Sequence, residues 1–96
     1  MKGKTKSGFA FDVDESVINN YRYVRTAARL KACKDPSDRI VLFDALTTMI
    51  LSDEEQERLF LHLEENGGAA TNEAVIKEVN EILEIIAEKV TSVKNS

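Results

Sequence analysis

The chain has 96 residues, 43% of them hydrophobic and 31% charged, with a formal net charge of −4, room for one small core and no more. One cysteine, Cys33, excludes an intrachain disulfide framework and fits a reducing compartment, and one histidine, His62, excludes any site that needs two imidazoles. No apolar run approaches the roughly 20 residues of a membrane span, and the acidic balance argues against a dedicated nucleic-acid binder.

The basic start Lys2, Lys4, Lys6 leads into Phe9-Ala10-Phe11 and then acid, without the apolar stretch of a signal peptide. Residues 1–8 read as a basic flexible tail with nothing to bury. In residues 9–13, Phe9, Phe11 and Val13 alternate and share one face of a short strand or extended segment. A lone strand must lie on its own helices or pair with a strand from another copy. The second option makes Phe9, Phe11 and Val13 candidate self-association residues.

Asp14 is a helix cap, and the first helix is expected to run from there to about Lys34. Val17, Tyr21, Val24 and Ala28 form its apolar stripe, opposite Arg22, Arg25 and Arg29. Asp35-Pro36 closes it and opens a second helix to about Leu51, since proline suits a first helical position. That second helix is apolar nearly all round, so it is expected to be central, with Phe43 and Leu46 in the core. Ser52-Asp53-Glu54-Glu55 reads as a capping box opening a third helix that buries Leu59, Phe60 and Leu63 and ends at Asn66-Gly67-Gly68. A fourth helix from Thr71 or Asn72 to about Val93 carries the stripe Val75, Val79, Ile82, Leu83, Ile86, Val90 and Val93, with a frayed end at 94–96. Ile85 falls off that stripe beside acidic neighbours such as Glu78, which makes it a candidate contact for another subunit or a partner. The fold expected is mainly α: a single domain over 9–93, of about four helices preceded by a short strand.

The chemistry-bearing residues form no catalytic or metal constellation. His62 stands alone between Leu61 and Leu63, and no motif brings Ser52 or Cys33 to it. One cysteine and one histidine cannot complete a zinc site. Asp12-Val13-Asp14-Glu15-Ser16 begins like a calcium loop, but Val17 and Tyr23 stand where glycine and glutamate are required. Gly67-Gly68 follows a helix and lacks the Lys-Ser/Thr of a phosphate loop. A helix–turn–helix around Pro36 would need its second helix in a DNA groove, and that helix is the most apolar in the chain. The expectation is a protein that is not an enzyme and takes no cofactor or metal.

Charge runs in blocks: Lys2, Lys4 and Lys6, then Asp12, Asp14 and Glu15, then six basic residues among 21–39 and seven acidic residues among 40–66. Such alternation lets neighbouring elements, or neighbouring copies, meet with opposite sign. The start Ser7-Gly8-Phe9-Ala10-Phe11-Asp12-Val13-Asp14, the junction Leu51-Ser52-Asp53-Glu54-Glu55-Gln56, the stretch Leu59 to Leu63 ending at Asn66-Gly67-Gly68, and the closing Glu78-Val79-Asn80-Glu81-Ile82-Leu83-Glu84 form a series. In that order the chain resembles the small tail assembly chaperones of long-tailed bacteriophages and prophages. It departs from their pattern at the junction, where Ser52 stands in place of a common glycine, and in the first helix, where arginines replace acid and tryptophan.

The resemblance implies a non-enzymatic, homo-oligomeric chaperone in the host bacterial cytoplasm. It would coat the tape-measure protein while the tail tube protein polymerises around it, and would be absent from the mature virion. No nucleic-acid or membrane partner is implied. The competing readings are a generic helical adaptor or phage accessory protein, and a helix–turn–helix transcriptional regulator.

Overall fold

A computed structural model describes residues 1–95, with side chains through residue 89. The fold is mainly helical, with a two-stranded N-terminal sheet and five helices in the order β1, β2, α1 to α5. Internal contacts group the chain into two compact units, Met1–Asp12 with Glu55–Ser96, and Val13–Glu54.

In the first unit, β1 (Lys2–Lys4) and β2 (Ala10–Asp12) pair antiparallel, with Lys2 opposite Asp12, Gly3 opposite Phe11 and Lys4 opposite Ala10. The residues expected to be a loose tail are therefore a strand and a turn. The physical reason is a second alternation that the lysines conceal: Lys2, Lys4 and Lys6 point outward while Thr5 is buried and Gly3 is half-buried between them. A Cβ at Gly3 would run into the ring of the buried Phe11, so any other residue there forces that ring to shift. The turn closes through Gly8 N–H to the Thr5 carbonyl (3.0 Å) and Thr5 N–H to the Phe9 carbonyl (2.9 Å), with Gly8 at φ 97°. The terminal ammonium of Met1 meets Asp12 at 3.2 Å.

The expected alternation of the second strand holds, with Phe9, Phe11 and Val13 all buried. Its pairing requirement is met by β1 of the same chain, so the argument for a strand partner from another copy falls.

Helix α4 (Asp53–Gly67) begins directly after Ser52, buries Leu59 and Leu63, and leaves Phe60 half-buried. Gly68 ends it in the left-handed region at φ 85°, donating to the Glu64 carbonyl at 2.8 Å. Helix α5 (Asn72–Asn95) is capped by Thr71, whose hydroxyl accepts from Ala74 N–H at 3.1 Å. Val79, Ile82 and Ile86 are buried and Val75 and Leu83 half-buried, as the stripe predicts. The stripe positions Val90 and Val93 lie outside the residues whose side chains are described; the helix continues through 94 and 95, where a frayed end was expected, and residue 96 lies outside the described residues.

The second unit holds α1 (Glu15–Ile18), α2 (Tyr21–Ala32) and α3 (Pro36–Ile50). Asp14 caps α1 by accepting from Ser16 N–H at 2.8 Å, and that backbone bond holds its carboxyl below the usual range. The single first helix expected from the sequence is broken at Asn19-Asn20. Asn20 adopts extended backbone (ψ 133°), and its side chain accepts from Arg22 N–H at 2.8 Å, capping a new helix. The break resets the helical phase. Tyr23 is buried, Thr26, Ala27 and Leu30 are half-buried, and Tyr21, Val24 and Ala28 are exposed, which reverses the expected stripe. Burial raises the Tyr23 phenol above its ordinary pKa.

Asp35 caps α3 as expected, accepting from Ser37 and Asp38 N–H, with Pro36 in the first turn. Arg39 ties this junction down, donating to the carbonyls of Leu30 (3.1 Å) and Cys33 (3.0 Å). Leu46 and Ile50 are buried, Phe43 is only half-buried, and Ile40 and Val41 are exposed. Burial on α3 is thus confined to its C-terminal half, so the helix is not covered on all sides as expected.

Candidate functional site

Two features carry polar or apolar groups that a bare scaffold would not require. The first is in the N-terminal unit. Phe9 is buried with the His62 ring tilted against it, centroids 5.6 Å apart, and the Arg58 guanidinium 4.5 Å above its own ring. Arg58 also donates to the Ala10 carbonyl at 2.7 Å. Beside this stack, Glu78 of α5 is buried and accepts from the hydroxyls of Thr5 and Ser7. Ser7 Oγ lies 3.0 Å from His62 Nε2.

The hydrogen bonds of Thr5 and Ser7 to Glu78, with that between Ser7 and His62, fasten the N-terminal segment to α4 and α5. Further along α5, Glu81 accepts from Lys6 N–H at 2.7 Å, and Lys89 Nζ donates to the Lys2 carbonyl.

Residues 78, 81, 85 and 89 recur at helical spacing, so Ile85 stands in the row that holds this segment. It is half-buried there, not isolated on an open face, and the buried Glu78 lies on the same flank. The strand side chains Phe9, Phe11 and Val13 are buried, so of the four candidate partner residues only Ile85 keeps part of its surface open. Ile85→Asp is accordingly expected to cost about 1–3 kcal/mol of stability, from lost burial and a desolvated carboxylate. A denaturant titration checks it; an unchanged midpoint would put Ile85 back on the surface.

The second feature is in the unit of α1 to α3. Ile40 is 64% and Val41 67% exposed, and between α2 and α3 opens a groove of about 440 Å³ lined by Arg29, Ala32, Cys33, Asp38, Val41 and Leu42. Its lining is mostly apolar, with one cation, Arg29, and one anion, Asp38. The outer face of α2 adds exposed Tyr21 and Val24, with the Arg25 guanidinium 5.7 Å from the Tyr21 ring. The sequence reading missed this surface, because an unbroken first helix placed Tyr21 and Val24 inside and the second helix was expected to be covered nearly all round. The paired asparagines at 19 and 20 were the available signal.

Among the described residues there is no group of three or more His, Cys, Asp or Glu side chains placed to hold a metal ion. No described helix is long and apolar enough to cross a membrane. No protein-family model, characterised protein or solved structure matches the chain.

Proposed function

We propose that this protein is a small tail assembly chaperone of the long-tailed phage type, masking apolar stretches of the tape-measure protein before the tail tube forms around it. The observation that carries the reading is the open apolar groove of α2 and α3, in whose lining Val41 stands exposed. A small acidic protein that keeps such a surface accessible can cover apolar helix on a client, and its charge keeps the complex dispersed. The sequence series from Ser7-Gly8-Phe9 to the Glu-rich last helix supports the same role. In that role it acts in the host bacterial cytoplasm, alongside the tail tube protein, and leaves before the virion is complete.

The test is co-expression with the tape-measure protein of the same phage or prophage. The wild-type chain is expected to keep that protein soluble and to co-purify with it. Val41→Asp should leave folding intact, since the side chain is already in water, but should release the client by putting a charge into the groove. A client that is soluble alone, or retained equally by the variant, would overturn the reading.

A further inference from the structure

The groove between α2 and α3 is edged by a row of like charge. At about 100° per residue, Arg22, Arg25 and Arg29 fall within roughly 60° of one another on α2, a row about 10 Å long. Arg29 is in the groove lining, and Arg25 and Arg22 continue the row one and two turns towards the start of the helix. All three are exposed, and among the described residues none of their guanidiniums lies within ion-pair distance of a carboxylate. Arg25 rests on Tyr21, 5.7 Å from the ring. Helix α2 contains no acidic residue, although the chain carries a net charge of −4. The one anion of the lining, Asp38, stands in the first turn of α3.

A cationic row beside an apolar lining sets two demands on whatever fills the groove. It must offer apolar side chains to Ala32, Val41 and Leu42, and carboxylates at the spacing of the arginines. An amphipathic helix with acidic residues three and four apart on one flank meets both, because helices lying side by side repeat at the same pitch. A nucleic-acid backbone meets only the second and leaves the apolar lining uncovered. We infer that the stretch of client taken by this groove is an amphipathic helix with one acidic flank. Its apolar face covers Ala32, Val41 and Leu42, its carboxylates meet Arg29, Arg25 and Arg22, and a basic residue beyond that flank meets Asp38. The inference rests on the chaperone reading of the groove and adds the chemistry of the segment bound. Apolar burial supplies most of the affinity, while the charges decide which segment is taken and in which direction it lies.

Two labelled model peptides test it on the full chain. They share one helical apolar face of leucine and alanine and differ only in the flank, glutamate in one and lysine in the other. Fluorescence anisotropy at low ionic strength is expected to show the glutamate peptide bound about fivefold more tightly or better. The net charge of the protein favours the lysine peptide, so the expected preference runs against it and reports the local cationic surface. Arg22→Glu with Arg25→Glu, both at exposed positions, should reverse the preference, and added salt should shrink it. If that double variant melts earlier, Arg22→Gln with Arg25→Gln takes its place and should abolish the preference. Val41→Asp should weaken both peptides, since both use the groove. No binding of either peptide, equal affinity for the two, a preference that survives the arginine substitutions, or duplex DNA bound more tightly than the glutamate peptide would each overturn the inference. A tape-measure protein retained by a chain that shows no peptide preference defeats this inference alone; one that is not retained defeats the chaperone reading, whatever the peptides do.

Discussion

Phe9→Ala is expected to lower stability by about 3–5 kcal/mol, the range for deleting a fully buried aromatic ring. Phe9 is among the largest fully buried side chains, and its ring meets both the His62 imidazole and the Arg58 guanidinium. Three losses add. The ring leaves a cavity, the cation above it loses an attraction of about 0.5–2 kcal/mol, and the N-terminal segment loses its main apolar anchor. A two-stranded hairpin of three residues per strand does not persist without such an anchor. Loss of β1 pairing in amide exchange should therefore accompany the shift in the denaturant midpoint. Phe9→Leu, which keeps most of the volume, is expected to recover more than half of the deficit. A deficit below about 1 kcal/mol for the alanine variant would show that the ring is not packed as described.

What the sequence made legible follows from which interactions are local. Caps are local, and Asp14, Asp35, Thr71 and Gly68 all do what their types and positions dictate. The α5 stripe is long and strictly periodic, so its buried face was legible through Ile86. The break at Asn19-Asn20 was missed because an N-cap asparagine and a helix-interior asparagine look alike without its backbone angle, and that one residue reversed the reading of a whole helix face. The N-terminal segment was misread for a different reason. Its three lysines resemble a solvated tail, and its two inward positions are Gly3 and Thr5, neither of them a strong apolar signal. The fate of Thr5 is fixed by Glu78, 73 positions away, and no local pattern contains that distance. The same pairing leaves Ile85 half-buried, because a strand laid along α5 widens the buried arc past the apolar stripe.

That long-range pairing carries the second large effect. Glu78 is buried, and its Oε1 accepts from both the Thr5 and the Ser7 hydroxyl. Removing both donors with Thr5→Val and Ser7→Ala leaves the carboxylate buried with neither, and a loss of roughly 2–4 kcal/mol is expected. Each single substitution leaves one donor in place and should cost less than half of that, so the pair is more than additive. The contrast lies in a third change. Adding Glu78→Leu to the double variant removes the stranded acceptor and supplies apolar volume, and it should restore most of the lost stability. Recovery is expected to stop short of the parent by about 1 kcal/mol, because Thr5 Oγ1 also accepts from the Phe9 amide at 3.1 Å and valine cannot. Denaturant midpoints for the parent, both single variants, the double and the triple give the full cycle. If the triple variant were no more stable than the double, Glu78 would be solvated in solution and would not anchor the N-terminal segment.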